Sequence, residues 1–239
     1  MMQRVSALTQ RELAATFFSP MAYIVAAVFL VATGYLFSEG TLKVGQEATM
    51  RPLFEGMAWL LALAVPLLTM RAIADEFASG TIETLMTAPI SDVEVVLGKF
   101  LGTFLFYAAL LAATVIYVIV LAYYAAIDFG VTAFGYFGLL LLGGLYVAAG
   151  IFASAMTRYQ LVAALIGVGI LSTFTVVVDS LAGLQGGSWR NVLGYVNFLY
   201  QFEDFAKGIF DTKALVFFIT GTGFFLFLAV KVMESRRWR

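Results

Sequence analysis

The stretch RAIADEFASGTIETLMTAPISDVEVVLGK, residues 71–99, decides the fold, because it is charged and lies between two long apolar runs. We call it the elbow. It carries seven charged side chains: Arg71, Asp75, Glu76, Glu83, Asp92, Glu94 and Lys99. One charge at the centre of a bilayer costs roughly 2.5–3.5 kcal/mol, so seven would cost on the order of 20 kcal/mol. The elbow therefore lies outside the hydrocarbon, and the apolar runs beside it are separate membrane spans.

The elbow has the pattern of two helices rather than of a loose loop. Apolar and acidic residues over 72–87 are typical of a short amphipathic helix that is interrupted near Gly80. Pro89 disfavours helix at the residue before it and predicts a stop. Ser91 and Glu94 then have the spacing of a capping box, which predicts a new helix that runs into the membrane. A structured acidic elbow of this kind is predicted to be a docking surface.

The composition is that of an integral membrane protein. Of the 239 residues, 62% are hydrophobic and 12% are charged, whereas a soluble domain carries about 25% charged residues. The chain has no Cys and no His, which excludes disulfides, thiol chemistry and the commonest metal ligand. The formal net charge is -1, so no basic field exists to neutralise phosphates, and no nucleic-acid partner is expected. We predict an all-α integral membrane protein with a single domain over residues 1–239.

Six apolar runs predict six transmembrane helices, at about 21–37, 53–70, 100–126, 134–156, 161–182 and 214–230. Residues 1–20 predict an amphipathic interfacial helix along the membrane face. A signal peptide is the alternative, against which the internal Glu12 and the further spans argue. Pro66 predicts a local kink in the second span. Small residues in the fourth span predict close packing against other helices, unless glycine is simply common in membrane helices.

Residues 183–213 are too polar for another span but carry a helical pattern. Apolar side chains recur at steps of three and four: Tyr195, Phe198, Phe202, Phe205 and Ile209. The pattern predicts one amphipathic helix with an aromatic face, which lies in the outer interface or enters the membrane as a re-entrant element. This face is either an anchor or a gate or recruitment site for an outer partner.

The positively charged residues predict the orientation. Six spans place both termini on one side, and nine Lys and Arg residues fall on that side against five on the other. By the positive-inside rule, both termini and the elbow are cytoplasmic. Residues 183–213 are then outside the cell or in the periplasm.

The functional groups that the chain lacks narrow the function. No span carries a charge near its middle, where proton- and ion-coupled carriers hold ionisable groups. Nothing resembles the phosphate-binding motif G-x-x-x-x-G-K-[ST]. The chain is therefore expected to bind no cofactor itself, and any energy from ATP would come from a partner that binds the nucleotide.

The order of these elements resembles the ABC-2 family of transporter permeases. Four strings are similar to its gliding-motility-type branch: RELAATFFSPMAYI, LAVPLLTMRAIADEFASGTIETLMTAPISDVEVVLGKFLG, GLYVAAGIFASAMTRYQLVAALIG and FEDFAKGIFD. The resemblance spans nearly the whole chain. The elbow is its most specific part, because the pieces R-x3-[DE]-E, S-G-T-x-E and P-x-S occur there in order.

The resemblance implies a function and partners. The chain would be the non-catalytic permease subunit of an ATP-driven transporter, an exporter in the cytoplasmic (inner) membrane. Two permeases, identical or different, would assemble with two ATP-binding subunits, and an accessory membrane protein with a large outer domain would join them. The elbow would be the cytoplasmic coupling helix, with five residues that contact or face the ATPase: Asp75, Glu76, Gly80, Thr81 and Glu83.

Other interpretations remain open at this point. Asp75 and Glu76 would simply be a solvated helix face, or would pair with Arg71, and an exposed pair contributes less than about 1 kcal/mol. A second hypothesis for the whole chain is a non-transporting scaffold that anchors a cytoplasmic enzyme or an outer complex. A secondary carrier fits less well because the spans are uncharged, and an enzyme within the membrane fits least. The substrate stays open among lipid-like, glycan and peptide cargo, or force transmission without cargo.

Overall fold

Local sequence signals start several of the helices. Pro20 occupies the first turn of its helix, where a missing N–H is harmless. The predicted capping box is confirmed: Ser91 Oγ accepts from the Glu94 N–H at 3.3 Å, and Glu94 Oε2 accepts from the Ser91 N–H at 3.0 Å. Asp128 caps another helix by accepting from two backbone N–H groups.

The computed structural model describes residues 2–42, 49–80, 91–178, 180–181 and 188–237. Its helices are α1 Met2–Phe17, α2 Pro20–Leu36, α3 Arg51–Thr69, α4 Ala74–Ser79, α5 Asp92–Ala113, α6 Val115–Tyr124, α7 Phe129–Met156, α8 Gln160–Ser172, α9 Ser188–Val196, α10 Phe198–Ala206 and α11 Thr212–Arg237. Two π-helical turns, Phe37–Thr41 and Thr173–Val177, extend α2 and α8. Among these described residues, six helical stretches are long and apolar enough to cross a membrane, which confirms the predicted all-α fold with six spans.

The helix of the third span begins at Asp92, directly after Ser91, as the capping box predicts, and it continues into the apolar stretch that starts at Phe100. It is also interrupted at Thr114, which separates α5 from α6. The Thr114 hydroxyl donates to the Leu111 carbonyl at 2.6 Å and lies 3.1 Å from Tyr136 Oη. A hydroxyl that bonds back to its own helix competes with the regular ladder, and the contact with Tyr136 lies at the same position as the break.

Helix α7, the fourth span, is the centre of the bundle. The 18-residue apolar stretch of α7 is 78% buried, against 22–56% for the corresponding stretches of the other five spans. It packs against α3, α5, α8, α10 and α11. At Gly143 an added Cβ would lie 2.2 Å from the Tyr107 ring, so only glycine permits this approach. The predicted close packing of the fourth span is confirmed.

The contact between Gly143 and Tyr107 gives a direct stability prediction. Tyr107 is fully buried, and its hydroxyl donates to the Leu139 carbonyl at 2.6 Å, so the ring cannot move aside to make room for a methyl group. We expect Gly143→Ala to destabilise the detergent-purified protein by about 1–3 kcal/mol through overpacking. Thermal unfolding in detergent measures the effect.

The neighbouring glycine is the matched control. A Cβ at Gly144 would lie 3.5 Å from Phe104, which is an ordinary contact. Since alanine is favoured over glycine inside a helix, Gly144→Ala should leave the melting temperature unchanged or slightly raised. Equal melting temperatures for the two variants would contradict the close-packing argument.

Candidate functional site

The short helix α4 of the elbow is anchored to the central helix by one serine. Ser154 on α7 is fully buried, and its Oγ accepts from the backbone N–H groups of Ile73 and Ala74, each at 3.0 Å. The same hydroxyl donates to the Met70 carbonyl at 3.0 Å. Ser154 therefore caps α4 from another helix, satisfying N–H groups that a helix start leaves without partners.

A buried charge cluster, formed by Glu12, Glu76 and Lys99, joins α4 to α1 and α5. Lys99 Nζ donates to Glu76 Oε1 at 2.8 Å and to Glu12 Oε1 at 2.9 Å. The side chains are 4% exposed at Lys99, 12% at Glu76 and 17% at Glu12. Arg11 lies at the edge of the cluster, with Nη2 4.0 Å from Glu76 Oε1. Glu76 is thus part of an internal ion cluster and not of a solvated helix face.

Gln160, at the start of α8, bridges two other charged residues of the elbow. Its amide nitrogen Nε2 donates to Asp75 Oδ1, and its Oε1 accepts from Arg71 Nε at 3.1 Å. The structure therefore joins Arg71 to Asp75 through a glutamine, and pairs Glu76 with Lys99. This bridge fixes α4 to the fifth span.

The last helix also contacts α4. The Arg236 guanidinium carbon lies 4.6 Å from the centre of the Phe77 ring, which is cation–π geometry. Arg236 Nη2 also donates to the Met156 carbonyl at the end of α7. The end of α11 is thus fastened both to α4 and to the central helix.

The exposed part of α4 is its far end, which we call the tip: Ala78, Ser79 and Gly80. Gly80 has a φ of 72°, the left-handed conformation that commonly ends a helix. The predicted break near Gly80 is therefore confirmed. Thr81 and Glu83, together with the predicted stop at Pro89, lie outside the described residues.

Residues 183–213, which we call the outer segment after their predicted position, contain two helices, α9 and α10, where the sequence pattern predicts one. Asn197 separates α9 from α10: its Oδ1 accepts from the Leu199 and Tyr200 N–H groups at 2.8 and 3.1 Å. Its Nδ2 donates to the Thr175 carbonyl at 3.1 Å, in the π-helical turn after α8. Asn197 is 3% exposed. Since the bond to Thr175 is buried, the asparagine fixes the chain break against the fifth span.

The predicted aromatic face divides between the core and the surface. Phe198, Phe202 and Phe205 are at most 4% exposed and belong to the hydrophobic core, whereas Tyr195 and Ile209 are 56% and 55% exposed. The three phenylalanines therefore anchor α10 to the bundle. Lys207, the residue directly after α10, donates a hydrogen bond to Glu203. This bond raises the pKa of the Lys207 ammonium above its ordinary value.

Lys99 gives a prediction about the charge cluster. Removing one member of a buried ion pair leaves an uncompensated charge, so we expect Lys99→Met to cost about 3–5 kcal/mol of stability. Lys231→Met is the control, because its pair with Glu234 is exposed and should contribute less than about 1 kcal/mol. Unfolding of the purified variants in detergent gives both values.

The triple variant Glu12→Gln, Glu76→Gln, Lys99→Met tests the same cluster from the other direction. It removes all three charges together, so we expect it to recover most of the stability that Lys99→Met loses. Small and equal losses for Lys99→Met and Lys231→Met would contradict the cluster.

The sequence matches the model of a known protein family. Residues 2–232 match the family described as ABC-2 family transporter protein, which covers nearly the whole chain. Among curated proteins, no relative matches the sequence. The gliding-motility-type branch stays a prediction. With six helices able to cross a membrane and a family match over almost its full length, the chain is a multi-pass membrane protein that belongs to the ABC-2 transporter family.

Proposed function

We propose that this chain is the membrane-spanning permease subunit of an ATP-driven ABC-2 exporter, and that its elbow receives the force of a separate ATP-binding subunit. One observation carries the proposal. Helix α4 is six residues long, yet its segment is held by side chains from α1, α5, α7, α8 and α11. A turn between two spans needs no such set of contacts, whereas an element that transmits force does.

The residues of the elbow divide into two roles. The tip is exposed and is the part that a cytoplasmic partner can reach, so we assign the ATPase contact to Gly80 and to the residues after it, Thr81 and Glu83. Asp75 and Glu76 are bonded to the protein itself through Gln160 and Lys99. They are positioning residues, which hold α4 at the angle that the partner meets.

The bonds of α4 also suggest which spans move. Helix α4 follows α3 directly, Gln160 ties it to α8, and the charge cluster ties it to α1, which leads into α2. Closure of the ATPases would push on the elbow, tilt the first, second and fifth spans together, and open a path between two permease copies. The chain supplies the path, and the partner binds and hydrolyses ATP.

The remaining parts of the proposal concern location and assembly. The excess of Lys and Arg on one side supports a cytoplasmic (inner) membrane protein with both termini in the cytoplasm. A second permease copy, identical or different, would complete the transporter. An accessory membrane protein with a large outer domain would meet the exposed residues Tyr195 and Ile209 of the outer segment.

The first test is purification of the tagged chain from its native host in mild detergent, with identification of any protein recovered in stoichiometric amount. We expect an ATP-binding subunit. Ala78→Arg places a new charge at the exposed tip and should reduce its recovery without lowering the melting temperature. The control is Lys213→Glu, which changes an exposed residue in the first turn of α11, at the other end of the bundle from the tip. Recovery without an ATPase, or with one that ignores the tip variant, would favour the scaffold interpretation.

The second test separates docking from coupling. Glu76→Gln keeps the shape of the side chain but weakens its bond to Lys99, so the ATPase should still co-purify. Since coupling free energies are typically 1–3 kcal/mol, we expect stimulation of ATP hydrolysis by the permease to fall about tenfold. Glu234→Gln, an exposed cytoplasmic change, should leave it unaffected. Wild-type stimulation in both Glu76→Gln and the double charge reversal Glu76→Lys, Glu83→Lys would rule out a role for these carboxylates.

A further inference from the structure

A cavity of about 350 Å³ opens beside the charge cluster. Its walls come from the second half of α1, the start of α2, the end of α3, α4 and α5. Ligand pockets in proteins usually enclose about 300–1,000 Å³, so the space suits a small polar group and its first attached atoms. It lies where two apolar spans meet the charged elbow, and lipid headgroups would lie at such a boundary between apolar and charged segments.

One side of the cavity is charged with both signs. Glu12, Glu76 and Lys99 line it, together with Asp75 and Arg71. Lys99 is shared between two carboxylates, so the three-residue cluster keeps an excess negative charge, which the mostly exposed Arg11 at its edge, 4.0 Å from Glu76 Oε1, offsets in part. Glu76 Oε2 is buried and accepts no hydrogen bond from any described residue. A buried carboxylate oxygen without a donor is unfavourable, and a cationic N–H donor relieves it.

The other side of the cavity is apolar. Leu67, Leu68 and Ala72 line it from the end of α3, and Met21 and Ala22 from the start of α2. These residues are the cytoplasmic ends of two membrane spans in the proposed orientation. The cavity is thus amphipathic in the same sense as a phospholipid, with ionic partners at one side and hydrocarbon at the other.

We propose that this cavity binds the headgroup of an aminophospholipid of the phosphatidylethanolamine type. Its ammonium group donates to the carboxylates of Glu76 and Glu12. Its phosphate lies toward Arg71. Among the described residues, Arg71 donates one hydrogen bond, from Nε to Gln160, which leaves its two terminal nitrogens for the phosphate. Three carboxylates in the lining disfavour an anionic lipid such as phosphatidylglycerol. Phosphatidylcholine carries the same charge but has no N–H to donate.

The test uses the purified chain alone, so it does not depend on the proposed function. The chain is delipidated in detergent, and native mass spectrometry measures binding of phosphatidylethanolamine, phosphatidylcholine and phosphatidylglycerol with identical acyl chains. A charge-assisted hydrogen bond is worth about a factor of ten or more in affinity. We therefore expect phosphatidylethanolamine to bind about tenfold more tightly than either of the other two.

Two variants locate the site. Ala72→Leu fills the apolar side of the cavity without touching the charge cluster, and Glu12→Gln keeps a hydrogen-bond acceptor for Lys99 while removing a negative charge. Each should abolish the preference for phosphatidylethanolamine, whereas Ala125→Leu, at the end of α6 away from the cavity, should retain it. Because Ala72→Leu leaves every ionic bond in place, it remains informative if Glu12→Gln unfolds.

Each other outcome overturns the proposal. Equal binding of the three lipids would mean that the cavity does not distinguish between their headgroups. Tighter binding of phosphatidylglycerol would mean that the exposed cations dominate. A preference for phosphatidylethanolamine that survives both Ala72→Leu and Glu12→Gln would place the lipid elsewhere on the protein.

Discussion

A lysine held between two carboxylates determines how the end of the molecule that carries the elbow is arranged. Lys99 is almost completely buried, and a buried ammonium is tolerated only when anions and hydrogen bonds replace its water. Glu12 and Glu76 do so from two other elements, which fixes α1 along α5 and fixes α4 against both. The same contact needs close backbones: at Gly102, one turn beyond Lys99, an added Cβ would lie 2.7 Å from the Glu12 side chain.

The central helix α7 connects this cluster region to the opposite end of the bundle, where α10 packs. Near one end, Ser154 caps the start of α4. Nearer the other end, Gly138 leaves room for Phe205 of the outer segment, since an added Cβ would lie 2.5 Å from it. Protein interiors are packed closely enough to transmit displacement, so a shift of the elbow against α7 would also displace α10. A single buried helix thus gives the proposed permease a mechanical path between its two faces.

The outer segment shows the limit of reasoning from periodicity. Steps of three and four identify Phe198, Phe202 and Phe205 as one face, and that face does exist on α10. Periodicity places residues on a face but does not say what covers the face. The structure covers it with α7 and α11, while Tyr195 and Ile209 fall beyond the helix that carries the phenylalanines. The break between Tyr195 and the phenylalanines comes from Asn197, which bonds to Thr175, a residue 22 positions earlier in the sequence.

The sequence by itself determined the all-α fold, the six spans, the break near Gly80 and the capping box at Ser91. These features depend on hydropathy, or on bonds between residues within a turn of each other, and both can be read along the chain. Only the tertiary structure decided the partners of the elbow: Lys99 finds Glu12 at a separation of 87 residues, and Ser154 reaches Ile73 across 81. Which of many charged or hydroxyl side chains meet at such distances depends on how the helices pack, and no local pattern records it.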